Sequence, residues 1–208
     1  MADDIEFWDR IAPSYAKQPV ADEAAYRHKL ERTRAILTPE MEVLEVGCGT
    51  GSTALAHAPF VRHVDATDLS AEMIRIGREK AKAEGIENIT FDQASLADLA
   101  VAPKPYDVVM AHSLIHLLDD RDQGLAQLFQ LVKPGGYLIT STACLADMSP
   151  LIRLVVPLVK LIKRMRQPVR FFSGEALVKS MEAAGFEIVE TWRPSKKAAL
   201  FVVSRRPG

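Results

Sequence analysis

The chain has 208 residues, of which 48% are apolar and 25% charged, with a formal net charge of −1. Such a composition suits a single soluble globular domain with an ample core, and it argues against nucleic acid as a bulk electrostatic partner. Its two cysteines, Cys48 and Cys144, lie far apart and suggest neither a C-x-x-C metal site nor a disulfide framework. The acidic opening Met1-Ala-Asp-Asp-Ile-Glu6 lacks the basic and apolar regions of a signal peptide, and no run of 18 apolar residues reads as a membrane span. A cytoplasmic protein is expected.

Residues 4–38 read as a helical cap. Phe7, Trp8, Ile11 and Tyr15 share one face, while Pro13 and Pro19 break the pattern into two or three short helices. The second helix, expected from Asp22 to Leu37, carries a core stripe at Tyr26, Leu30, Thr33 and Leu37, with Thr33 its weakest member.

From residue 43, strand and helix signals alternate. Strands are expected near 43–46, 63–67, 89–92, 106–111 and 136–142. Helices are expected near 51–58, 71–84, 121–132 and, as a single turn, 97–99. Parallel pairing through helical crossovers follows, hence a doubly wound, Rossmann-like α/β sheet. Lys133-Pro-Gly-Gly136 reads as a helix stop and turn. The tail adds a helix from Glu175 to Ala184 and strands at 186–192 and 198–203, which suit an antiparallel C-terminal edge on a mostly parallel seven-stranded sheet.

The stretch Val43-Leu-Glu-Val-Gly-Cys-Gly-Thr-Gly51 is a short strand, a glycine turn and the start of a helix. Backbone without Cβ atoms lets a nucleotide-like ligand approach closely. Asp68, at the tip of the second strand, is placed to grip a ribose diol. A dinucleotide fingerprint needs its third glycine where Ser52 stands, so an NAD(P)-dependent oxidoreductase is disfavoured. Glu45 suits a cationic amino-acid group better than a pyrophosphate.

Together these residues resemble the first motif of class I S-adenosylmethionine (SAM)-dependent methyltransferases, E/D-x-G-x-G-x-G. Further segments carry the resemblance along the chain. Phe7-Trp-Asp-Arg-Ile-Ala-Pro-Ser-Tyr15 is similar to the F-x-x-I-A-x-x-Y opening of the ubiquinone/menaquinone-biosynthesis branch. Asp68-Leu-Ser-Ala-Glu-Met73 is similar to D-x-S-x-x-M, and Val132-Lys-Pro-Gly-Gly-Tyr137 to the family's L-K-P-G-G-x turn. The resemblance implies SAM as cofactor and S-adenosyl-L-homocysteine as product. Glu45, Gly47, Cys48, Gly49, Thr50 and Gly51 would hold the methionine part, with His112 at the end of the fourth strand nearby. Asp68 would hold the ribose, and Leu69 and Met73 would face the adenine. Ser95 stands where the family has an adenine-binding aspartate, and Leu96 beside it. Tyr15 would lie close to the cofactor, as a gate, or staple the first helix to the core. Trp8 reads as a staple of the first helix.

No G-x-S-x-G or H-E-x-x-H pattern is present. His112 and His116 are four apart but lack a third ligand, so no metal is expected. His116 is the candidate general base, and a packed histidine is its alternative. Met148 to Gly174 holds no acid, six basic residues and ten large aliphatics between Leu151 and Met165. After the fifth strand, such a segment (146–174) is expected as an acceptor-side lid, with contact of 151–170 to an anionic membrane as its sharper reading. The expected function is methyl transfer to a small-molecule or lipid-like acceptor, quinone or phospholipid among lipids. A non-catalytic SAM-binding protein of the same fold is the alternative. Oligomeric state is not legible.

Overall fold

The computed structural model describes residues 2–147 and 170–208. The lid expected over 146–174 and the stretch 151–170 therefore lie, apart from their ends, outside the described residues. In chain order the elements are α1 (Ala2–Tyr15), α2 (Glu23–Arg34), β1 (Glu42–Val46), α3 (Ser52–His57), β2 (His63–Asp68), α4 (Ala71–Glu84) and β3 (Ile89–Gln93). They continue with α5 (Leu96–Val101), β4 (Tyr106–His112), α6 (Arg121–Leu131), β5 (Val132–Thr142), α7 (Gly174–Ala183), β6 (Glu187–Trp192) and β7 (Leu200–Arg205). No described helix is long and apolar enough to cross a membrane.

The seven strands form one sheet in the order β3-β2-β1-β4-β5-β7-β6. The first five pair in parallel, and β7 inserts antiparallel between β5 and β6. This is the doubly wound, Rossmann-like sheet with an antiparallel edge that the alternating signals predict. Successive strand residues face opposite sides. Leu44, Val109 and Leu138 pack with Leu125 and Leu128 of α6 and Leu177 of α7. Val43, Val108 and Ile139 pack on the other face with Leu55 of α3 and Ile74 of α4. Each such burial contributes roughly 1.5–3 kcal/mol. Strand order reverses direction on either side of β1, and that switch point opens a crevice at the carboxyl ends of the strands.

Three details differ from the sequence expectation. Pro13 does not break the first helix. It sits in the last turn of α1, where its missing N–H forgoes a single bond, to the carbonyl of residue 9, and the helix ends two residues later. The stretch Lys133–Gly136 is not a turn ahead of a strand but lies within β5, whose pairing with β4 shifts register between Tyr106 and Val108. An added Cβ at Gly136 would stand 2.7 Å from the Asp107 carbonyl oxygen, so the bulge needs its glycine. α5 is longer than one turn, because Ser95 and Asp98 cap it reciprocally.

α1 rests on α4. Trp8, Ile11 and Ala16 pack around Ala12, Met73 and Ile76, and Trp8 also reaches the crevice. Asp9 fixes the contact: its Oδ1 accepts from the Ser70 hydroxyl (2.5 Å) and the Glu72 N–H (3.0 Å). α2 starts at the Asp22 cap and is shorter than its apolar pattern. Thr33, expected as its weakest core member, is 1% exposed, whereas Tyr26 and Leu30 are half-buried. Both ends of the expected lid meet. Ala146 N–H donates to the Phe172 carbonyl (3.1 Å), and Gly174 N–H to Asp147 (2.8 Å).

Candidate functional site

The crevice is a cleft of about 820 Å³, toward the upper end of the ~300–1,000 Å³ usual for small-molecule sites. Its floor is the turn after β1. Gly47, Gly49 and Gly51 have φ of 69°, 54° and 74°, left-handed backbone that costs a residue with Cβ ~1–2 kcal/mol. The three glycines do different things. A Cβ on Gly51 would sit 2.5 Å from the Phe91 ring, and one on Gly47 3.1 Å from Leu114. On Gly49 it would meet only the Tyr15 ring, at 3.8 Å. Gly49 thus presents bare backbone to the cleft, while Gly51 is required by packing and does not line it.

Two carboxyl groups flank the turn. Glu45 is 2% exposed, and its Oε2 has no hydrogen-bond partner. Burial pushes its pKa up to about 8, against a lowering by the Ala54 N–H and a further raising by Asp68. A buried, proton-holding carboxyl with an unpartnered oxygen on the cleft wall is fitted to meet a cation. Asp68 braces the turn: its Oδ2 accepts from Gly49 N–H and its Oδ1 from Ser70 N–H, both at 2.9 Å. Burial raises its pKa, opposed by those backbone N–H groups. The second strand therefore holds the first turn in shape, a role that motif spacing alone did not reveal.

Most of the sequence-predicted site comes together here. Tyr15, Cys48, Thr50, Leu69, Met73 and Leu96 line the cleft with Glu45, Gly47, Gly49, Asp68, Ser95 and His112. The Cys48 thiol is held well above its usual pKa by burial and then by Glu45 and Asp68, so it stays a thiol. The Thr50 hydroxyl accepts from Lys80 (2.9 Å). Met73 both packs on α1 and reaches the cleft. The Ser95 hydroxyl is committed to its cap, donating to Asp98 at 2.6 Å and accepting from the Asp98 N–H at 3.0 Å. Tyr15 is 45% exposed; burial of the remainder, with Asp68 and Glu45 nearby, raises its phenol pKa.

His116 is not brought in. It sits in the 3-10 turn Ile115–Leu117, outside the cleft lining, with its Nδ1 unpartnered and its pKa lowered by burial. Its carbonyl accepts from the Arg170 N–H (3.0 Å). His112 does face the cleft, and burial brings its pKa down to about 3. Among the described residues no cluster could hold a metal ion. Sequence reasoning missed the wall opposite the turn: Tyr26, Lys29 and Leu30 of α2, His57 at the end of α3, and Ser141 of β5. An amphipathic pattern on α2 reads the same whether its inner face meets a core or a ligand cleft, so no local signal separated the two.

Comparison with known proteins points one way. The family described as "Methyltransferase domain" matches residues 20–191. A demethylmenaquinone methyltransferase of Bacteroides fragilis is 26% identical over 208 aligned residues, covering 89% of this chain and 84% of that protein. A ubiquinone/menaquinone biosynthesis C-methyltransferase of Vibrio campbellii is 30% identical over 105 residues, 49% of this chain and 40% of that one. The crystal structure of the YcgJ protein from Bacillus subtilis superposes with a TM-score of 0.72 at 17% identity, over 88% of this chain and 99% of that chain, a likeness of fold.

Proposed function

Because the chain belongs to the methyltransferase domain family and is thereby a SAM-dependent methyltransferase, we propose that its cleft holds SAM at the β1–β2 side and presents a small-molecule or lipid-like acceptor to it. The observation that carries the placement is the unpartnered Oε2 of buried Glu45 beside the bare backbone of Gly49. SAM carries a cationic amino group that Glu45 would meet and a ribose diol that Asp68 would meet. Leu69, Met73, Leu96 and the backbone around Ser95 would flank the adenine. Tyr15, against Gly49, would cover the cofactor as α1 closes over α4.

SAM supplies a methyl group on a sulfonium that already serves as leaving group. The protein's task is to hold an acceptor atom in line and keep water out, and positioning alone contributes ~7–11 kcal/mol. Among the described residues His116, the candidate base, stands outside the cleft lining, which supports positioning as the main contribution. The names of the relatives support a quinone-type acceptor as the first class to try. Membrane contact through 151–170 rests on the composition of that stretch alone.

Calorimetric titration with SAM, followed by an acceptor screen that reads S-adenosylhomocysteine release, tests the reading. Binding with turnover on hydroquinones or other small hydroxyl compounds is expected. Absence of SAM binding refutes it. Co-sedimentation with anionic vesicles, weakened by salt and by joint Lys160, Lys163 and Arg164→Glu substitution, tests the membrane contact; failure to sediment at low salt removes it.

A further inference from the structure

The cleft continues past the turn and the residues that the proposed function gives to SAM, as far as the end of β4, where the sequence places His112 near the methionine part. Its far wall is built from Lys29, His57, His112 and Ser141. Ser141 is the register partner of His112 across β5 and β4. The Lys29 ammonium reaches down from α2 to donate to the Ser141 hydroxyl at 2.8 Å. Among the described residues no carboxylate forms an ion pair with Lys29; burial lowers its pKa, opposed through space by Asp22. His57 is fully buried, lines the cleft, and has no hydrogen-bond partner on either ring nitrogen. His57 and Lys29 both act electrostatically on His112, so the three groups are neighbours. Just after His112 the chain turns at Ser113, the one non-glycine residue with positive φ (54°) among the described residues; its N–H donates to the Ser141 carbonyl at 2.7 Å. Backbone held in that region marks a position the surroundings over-determine.

Place and charge decide what this wall suits. From Asp68 on β2 to Ser141 on β5 is three strand spacings, about 14 Å. The wall is thus well removed from Asp68, whereas Glu45 on β1, paired with Met110 two residues before His112, stands one strand away. Burial brings the pKa of His57 down to about 4 and of His112 to about 3, so both imidazoles are neutral near pH 7. A neutral imidazole offers one N–H donor. The wall then offers one cation, two neutral N–H donors and a hydroxyl, with no carboxylate of its own. Protonated amines would meet Lys29 as a like charge.

We propose that this wall is an anion subsite that seats the methyl acceptor by a negatively charged oxygen (phenolate, enolate or carboxylate) on Lys29, with hydrogen bonds from His57 and His112. The inference rests on the methyl-transfer reading above and narrows its acceptor to acidic-oxygen compounds. Lys29 and the two histidines bind and orient the acceptor; the Ser141 hydroxyl holds Lys29 in place.

The test uses the full chain with S-adenosylhomocysteine bound and 4-nitrophenol as probe, whose phenolate has its own absorption band. Wild type is expected to bind the probe as phenolate at a pH where free probe is mostly phenol. Lys29→Met should weaken that binding roughly tenfold or more, the scale of one charge-assisted hydrogen bond, and Lys29→Arg should restore most of it. Neutral nitrobenzene should bind wild type and Lys29→Met alike. His57→Phe should weaken the phenolate in the same sense, and Lys29→Met keeps the test open if that core substitution does not fold. Equal phenolate binding by wild type and Lys29→Met, or none by either, overturns the proposal. So does a loss of S-adenosylhomocysteine affinity in Lys29→Met with probe binding unchanged, since the anion would then be the cofactor's own carboxylate. Failure of wild type to bind S-adenosylhomocysteine is a separate result: it strikes the cofactor reading, while probe binding to the free protein still reports on Lys29.

Discussion

Glu45→Gln is the substitution with the most to say about the cleft. In the ligand-free protein burial holds the Glu45 pKa at about 8 against an ordinary 4.5. At pH 6.5 the group is therefore almost wholly protonated. An ammonium arriving at its unpartnered Oε2 favours the carboxylate and expels the proton. Calorimetric titration with SAM at pH 6.5, repeated in buffers of different ionisation enthalpy, should report release of nearly one proton. Affinity should climb about tenfold per pH unit below pH 8, pass through a maximum near there, and fall above it as the ligand's own α-amino group, near ~7.7–8.0, loses its charge. Gln at this position keeps the shape but cannot ionise. Proton release should vanish, and binding should weaken by the ~1.5–3 kcal/mol of a hydrogen bond to a charged group. Stability carries the same signature. The folded pKa is raised, so the contribution of Glu45 is fully present below pH 4.5 and is lost as pH rises through about 8. Over that window, at ~1.36 kcal/mol per pH unit, the loss reaches about 5 kcal/mol. Ligand-free Glu45→Gln should accordingly gain on wild type in melting temperature from pH 5 to pH 8. A binding enthalpy independent of buffer in wild type, or unchanged SAM affinity in the variant, refutes the reasoning.

Three further outcomes follow from the geometry. Gly49→Ala, at φ 54° with open cleft above it, should cost ~1–2 kcal/mol in a denaturant melt and lower SAM affinity further, because the methyl occupies ligand space. Asp68→Ala should weaken SAM binding and also raise hydrogen exchange at the Gly49 amide that Asp68 now holds; if only one of the two changes, the double role is wrong. His116→Ala should slow turnover by less than the ~10²–10⁴-fold typical of a lost general base, read in steady-state kinetics; near-total loss with SAM binding intact would make His116 the proton carrier.

Much of the β1–β2 side of the cleft was legible because its signals are local. Left-handed backbone at Gly47, Gly49 and Gly51 is demanded by a tight turn between a strand and a helix, and glycine is the residue that adopts it freely. Asp68 ends β2, and parallel pairing of β1 with β2 fixes where that end must lie. The alternation of apolar strand and amphipathic helix determined the sheet and the crevice at its switch point, since period and connection length leave few topologies. The tertiary structure alone decided the rest. Chain distance hides that Asp68 braces Gly49, that Ser95 spends its hydroxyl on a cap, and that His116 turns away while His57 turns in. It likewise hides the meeting of Lys29 with Ser141, 112 residues apart. A side chain's partners across such separations depend on how helices settle on the sheet, and the period of a sequence gives the face of a helix, not what that face meets.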